Sequence, residues 1–170
     1  MKRLAILRHA KSSWAVAGHS DKERPLNAKG HRQLARLSGW MDETSFRVDR
    51  VLVSDAQRTL ETLDDLTAAL GDTPVEQAPG LYSGHLETYL DAIWGADEAI
   101  DSLLIIGHNP NCDELAHHLA KPNAGEADRL AVSHFQTATL AVMSCDCDAW
   151  SGVQKASCTL DTFLTPKDLS

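Results

Sequence analysis

Arg8 and His9, Arg58 and His108 are the residues whose types and neighbours suggest chemistry. Each stands where an apolar run gives out: LAIL runs into Arg8, RVLVS ends four residues before Arg58, and SLLIIG runs into His108. The planar guanidinium fork of arginine gives an oxyanion two parallel charge-assisted hydrogen bonds, each worth about 1.5–3 kcal/mol. A neutral imidazole is a nucleophile near pH 7. Attack on phosphorus gives a phosphoramidate that water later cleaves, which divides one hard displacement into two easier ones. Taken singly, each piece has an ordinary explanation. An Arg-His pair after a strand is a common surface feature, Arg58 alone is a solvated helix charge, and Asn109-Pro110 reads as a turn and helix cap. Their shared position at the ends of three apolar runs outweighs those explanations.

That position has meaning if the runs are strands of an open α/β sheet. Such sheets bind ligands at the carboxyl ends of their strands, where helix N-termini offer free N–H groups and the positive end of a dipole. The periodicity supports this architecture, because apolar runs alternate with amphipathic stretches. Leu4 to Leu7, RVLVS at 50–54 and SLLIIG at 102–107 read as strands, as do Phe135 to Met143 and, at an edge, Cys158 to Leu164. Asn27 is suited to cap a helix with Leu34, Leu37 and Met41 on one face. Ser54-Asp55-Ala56-Gln57 has the spacing of a capping box opening a helix with Leu60, Leu63, Leu66 and Leu70 along one side. Leu86, Tyr89, Leu90, Ile93 and Trp94 follow helical spacing, and Pro110 is placed as the first residue of a further helix. The sizeable loops are expected at Trp14 to Leu26 and at Lys121 to Arg129. The expected fold class is α/β, a three-layer α/β/α sandwich with a mainly parallel mixed sheet, in one domain spanning 1–170.

Composition narrows the function classes. A net charge of -8 over 170 residues disfavours nucleic acid, whose phosphates require a basic face. Any cationic cluster is therefore local. Lys2 and Arg3 precede an apolar run that stops at Leu7, too short for a signal segment or a membrane span, so no membrane is expected and the protein is expected in the cytoplasm. Cys112, Cys145, Cys147 and Cys158 show no C-x-x-C spacing and are expected as reduced thiols, mostly packed in the core. Asp113 and His117 read as an i,i+4 ion pair rather than metal ligands, and His19, His31, His85 and His134 as surface or loop residues. No metal and no cofactor is expected.

R-H-A at 8–10, SDAQRTLET at 54–62 and IGHNP at 106–110 resemble, in order and spacing, the three motifs of the histidine phosphatase superfamily, the phosphoglycerate mutase-like fold. Within it, LRHAKSSW, DKERPLNAKG and LDTFLTPKDL resemble the small SixA-type phosphohistidine phosphatases, so the likeness covers nearly the whole chain. It implies that His9 is the phosphorylated nucleophile, that Arg8 and Arg58 bind phosphate, and that His108 donates to the phosphoryl oxygens and assists transfer. Arg24 is a further candidate phosphate ligand. Two departures bear on what carries over. Ala10 replaces the glycine many members have after the histidine, which asks for a backbone without positive φ. Asn109 stands where the acid phosphatase branch has an aspartate proton donor. In the mutase branch a glutamate after the third strand serves, and Glu87 or Asp91 is the nearest candidate here. Only about twenty residues separate Tyr82 from Ser102, so no cap domain fits and an open site is expected. The implied partner is a phosphorylated protein or a small phosphorylated substrate. The implied activity is hydrolysis of phosphohistidine. The alternatives are a phosphatase or mutase for small phosphate esters, and a phosphate-binding module without catalysis.

Overall fold

A computed structural model describes residues 1–14 and 17–169. Seven strands form one sheet: β1 (Lys2–Arg8), β2 (Arg50–Val53), β3 (Val75–Gln77), β4 (Ser102–Gly107), β5 (Ala120–Gly125), β6 (Leu140–Cys145) and β7 (Cys158–Leu164). Their spatial order is β3-β2-β4-β1-β6-β7-β5. Parallel pairing joins β3, β2, β4 and β1 as well as β5 and β7, while β6 runs antiparallel to both of its neighbours. One strand of seven is therefore reversed, and the sheet is mainly parallel as expected.

Both faces of this sheet are covered, which is why its central strands are continuously apolar in sequence. Leu4, Ile6, Leu103, Ile105, Ala141 and Met143 point to one face. There they pack on α4 (Leu86–Trp94) and α5 (Asn111–Leu119), and on the shorter α3 (Gly80–Ser83) and α6 (Ala127–Val132). Ala5, Leu7, Leu104, Ile106, Leu140 and Val142 point to the other, against α1 (Ala28–Glu43) and α2 (Gln57–Leu70). Alternation along each strand thus feeds two separate cores, and the three layers follow.

Several local expectations need correction. The helix after RVLVS starts at Gln57 without a side-chain cap, because its N-cap position falls on Ala56 rather than on Ser54. Its buried face is Thr59, Thr62, Leu66, Ala69 and Leu70, with Leu60 and Leu63 only partly covered. Pro110 precedes α5 rather than opening it, after a cis Asn109–Pro110 peptide. The strand expected from Phe135 begins only at Leu140, since Ala138 adopts φ 57° and interrupts extended backbone. β7 is not an edge, because β5 pairs with it from within the segment expected as a loop. Of the irregular stretch from Trp14 to Leu26, residues 15 and 16 lie outside the described residues; the remainder includes a 3₁₀ turn at Asp21–Glu23. Cys145 and Cys158, expected as thiols, form a disulfide. They are register partners across β6 and β7, with Cα atoms 4.1 Å apart, so strand pairing itself brings their sulfurs together. Cys112 and Cys147 remain free.

Candidate active site

The sheet order decides which strand ends become neighbours. β4 lies between β1 and β2, so the residues leaving these strands, His9, His108 and Ser54, stand side by side at their carboxyl ends. Two backbone hydrogen bonds fix the arrangement: His9 N–H donates to Gly107 C=O at 3.1 Å, and Ser54 N–H to Ile106 C=O at 3.1 Å. The first turn of α2 adds Arg58. Together Arg8, His9, Lys11, Ser12, Trp14, Arg24, Arg58, His108, Asn109 and Thr137 line a cavity of about 240 Å³. All four residues singled out at the strand ends are there, and Arg24 is with them.

His9 is 6 % exposed and its Nδ1 lies 2.7 Å from the Ala10 carbonyl oxygen. A carbonyl only accepts, so Nδ1 carries the proton and Nε2 keeps its lone pair. Ala10 has no positive φ and is itself held by its N–H donating to Thr62 Oγ1 at 3.1 Å. Thr62 in turn donates to the Arg58 carbonyl. The residue after His9 is thereby tied to the helix that carries the second arginine. Burial pushes the His9 imidazole down to about 3; the positive charges of His108, Arg58 and Arg8 push the same way against the Ala10 hydrogen bond. His108 falls to about 4, again through burial first and Arg58 next. Both rings are neutral near pH 7.

His108 is oriented by Ser54, whose hydroxyl oxygen accepts from Ala56 N–H at 3.2 Å and lies 2.7 Å from His108 Nε2. His108 Nδ1 is buried and has no partner among the described residues. Arg8 Nε is orphaned in the same way, while its Nη1 donates to the Phe135 carbonyl at 3.1 Å. Two unmet nitrogens on cavity-lining side chains, one of them a guanidinium donor, are what an oxyanion ligand would satisfy. The rings of His9 and His108 are 5.3 Å apart between centroids, a separation that leaves both in reach of one small anion.

Two residues not singled out in the sequence hold the rim. Asp21, from the 3₁₀ turn, accepts from Arg58 Nη2 at 3.1 Å through its carboxylate and from Arg58 Nη1 at 2.8 Å through its carbonyl. The same carboxylate accepts from Arg24 Nη1 at 2.9 Å and from the Tyr82 hydroxyl at 2.9 Å. These donors, Arg24 foremost, hold the Asp21 carboxyl down to about 2. Arg24 also donates to Ser12 Oγ and to the Ser13 carbonyl. Tyr82 sets its ring edge-on to His108 at 5.5 Å. Neither contact has a signature in sequence, because a loop reaching a helix 37 residues away is purely tertiary. Ser54 was visible, as a cap; its hydroxyl instead orients the second histidine.

Glu87 is not brought in. It is exposed in the first turn of α4 and does not line the cavity, and Asp91, exposed further along the same helix, does not line it either. No aspartate or glutamate lines the cavity among the described residues. His117 and Asp113 form the expected i,i+4 pair at 3.6 Å. Among the described residues no group of three or more His, Cys, Asp and Glu side chains is placed to hold a metal ion. No helix is long and apolar enough to cross a membrane, again among the described residues.

Comparison with known proteins gives relatives in sequence and in fold. An uncharacterized protein of Mycobacterium tuberculosis is 32% identical over 165 residues, covering 95% of this chain and 100% of that one. Phosphohistidine phosphatase SixA of Escherichia coli is 30% identical over 110 residues, 62% of this chain and 66% of SixA. The structure superimposes on that of the protein histidine phosphatase SixA complexed with tungstate with a TM-score of 0.77, at 25% identity over 99% of both chains. A SixA from Agrobacterium tumefaciens gives a TM-score of 0.81 at 27% identity, over 97% of this chain and 98% of that one. The family model of the histidine phosphatase superfamily (branch 1) matches residues 4–91, which contain Arg8, His9 and Arg58. The chain belongs to the histidine phosphatase superfamily, branch 1.

Proposed function

We propose that this protein hydrolyses phosphohistidine on a protein, through a covalent phosphohistidine intermediate on His9. The observation that carries the reading is the fixed tautomer of His9: Nδ1–H is committed to the Ala10 carbonyl, so Nε2 is left as a neutral nucleophile in a cavity walled by three arginines. In the first step Nε2 attacks phosphorus while the bond to the leaving group breaks. Arg8 and Arg58 offset the charge on the equatorial oxygens, and His108 donates to one of them. In the second step water attacks the phosphorus of phosphorylated His9, inorganic phosphate leaves, and Nε2 regains its lone pair.

The leaving group decides between substrates. An alkoxide leaving a sugar phosphate needs a proton in the transition state, a contribution of about 10²–10⁴-fold from a positioned acid. The carboxylate at the rim, Asp21, is held ionised, and Glu87 lies outside the cavity. A phosphohistidine ring is protonated at the nitrogen that does not carry the phosphoryl group, so it departs as neutral imidazole when the P–N bond breaks. The likeness to SixA, including the tungstate complex with its phosphate-like oxyanion, supports the same reading. The test is a substrate series on wild-type enzyme. kcat/KM should fall steeply as leaving-group pKa rises, with phosphohistidine and aryl phosphates far ahead of sugar phosphates. During turnover an acid-labile phosphate should appear on His9 and be absent from His9→Ala. Sugar phosphates turned over as fast as phosphohistidine, with Glu87→Gln abolishing that activity, would replace this reading with a small-ester phosphatase. Labelling on serine, aspartate or cysteine would remove the mechanism.

A further inference from the structure

Eight of the sixteen lysines and arginines in this acidic chain line only two cavities, and among the described residues no aspartate or glutamate lines either. Four of them belong to the site around His9. The other four, Lys29, Arg32, Arg36 and Lys167, line a second cleft of about 340 Å³ with Gln33, Gln136 and Pro166. Positions 29, 32, 33 and 36 fall on one face of α1, the i, i+3, i+4, i+7 pattern. Gln136 and Pro166 stand at the same end of the sheet as His9, since β6 begins at Leu140 and runs against β1, while β7 ends at Leu164.

The two cavities share a wall. Gln33, which lines the second, accepts from Lys11 N–H at 3.0 Å through Oε1 and donates from Nε2 to Thr137 Oγ1 at 3.4 Å. Lys11 and Thr137 line the first. Lys29, Arg32 and Arg36 are exposed and make no ion pair among the described residues. Asp168, beside Lys167, is paired with Arg129 at 2.8 Å. Like charges along one helix face repel one another, and of the three only Arg36 shares a cavity with carboxylates, Glu43 and Asp168, among the described residues.

We propose that this second cleft docks an acidic polypeptide segment flanking the phosphorylated histidine of a protein substrate. The proposal rests on the phosphohistidine reading of the first cavity. The form of the cleft favours a chain over a compact anion: its cations are the ends of long exposed side chains, spread along about 10 Å of helix from residue 29 to 36. Carboxylates distributed along an extended segment match that spacing. Complementary charge of this kind acts on encounter and register, and it weakens with salt.

Two phosphohistidine peptides, one flanked by four glutamates and one by four lysines, test it, with phosphoramidate as the small substrate. At low ionic strength the wild type should favour the acidic peptide by about 10–100-fold in kcat/KM, carried mainly by KM, and 0.5 M NaCl should erase most of the preference, since about 3–5 Å is then the screening length. In Lys29→Glu/Arg32→Glu/Arg36→Glu the ratio should fall to about one or below, with phosphoramidate turnover within about twofold of wild type. If that variant loses phosphoramidate turnover, the glutamine triple Lys29→Gln/Arg32→Gln/Arg36→Gln is read in its place. Equal use of both peptides by the wild type, or a preference that survives the triple substitution, overturns the docking cleft and leaves the phosphohistidine reading standing. Hydrolysis of neither peptide beside brisk turnover of sugar phosphates overturns the substrate reading, and the docking cleft with it.

Discussion

His9 and His108 have been made poor bases by their surroundings, and this has opposite consequences for chemistry and for stability. With the imidazoles held down to about 3 and about 4, an acid-side loss of kcat/KM from their protonation should be absent between pH 7 and pH 5. For stability the sign follows from proton counting. In the unfolded chain both rings take up a proton near pH 6.5, whereas the folded rings do not, so the unfolded state binds more protons below that pH. The histidines' full contribution is present above about pH 6.5 and is lost progressively as pH falls toward about 4 and about 3. Urea unfolding at pH 7 and pH 5 should show lower stability at pH 5, and His9→Asn should flatten that difference. An unchanged slope in the variant would mean that His9 is not held neutral by the fold.

At the scale of elements, α1 is set close against the segment that follows His9. A Cβ on Gly30 would run into the Lys11 carbonyl oxygen, and Asn27 caps the same turn by accepting from Gly30 N–H at 2.9 Å. Alanine is intrinsically the better helix former by about 1 kcal/mol, so Gly30→Ala would stabilise a free helix. Here it should destabilise the protein and slow turnover by 10-fold or more, as displacing Lys11 shifts the adjoining residues of the cavity. Thermal unfolding and phosphoramidate kinetics check both, and a more stable, fully active variant would contradict the close packing. The elements also explain what was legible in sequence. Leu4 to Leu7 and SLLIIG were readable because strands buried on both faces are apolar throughout. β3 is exposed at all three positions and β5 reads Ala-Lys-Pro-Asn-Ala-Gly, so neither edge strand announces itself. Arg8, His9, Arg58 and His108 could be found because strand ends are local features. The Asp21 clasp on Arg58, Arg24 and Tyr82 could not, because only folding brings those residues together.

For the whole molecule, the disulfide joins the two strands on the far side of β1 from α2's strand. It closes a loop of 13 residues in sequence, and for loops near that length the expected contribution is about 3 kcal/mol. Alkylation of the denatured, unreduced protein should therefore label Cys112 and Cys147 only, and prior reduction should lower Tm by several degrees. Four labelled cysteines without reduction would show the pair to be open. Such a staple acts on a sheet whose assembly is otherwise awkward. β1 precedes the other six strands of the sheet in sequence, yet it is clasped between β4 at Ser102–Gly107 and β6 at Leu140–Cys145. A nascent chain that has just passed residue 107 has the strand ends of β1, β2 and β4 but leaves one edge of β1 bare, the edge that later carries Thr139 C=O to Arg8 N–H and Phe135 C=O to the Arg8 guanidinium. Arg8 is thus fastened on this side only after residues 135–139 have followed the strand ends that carry His9 and His108.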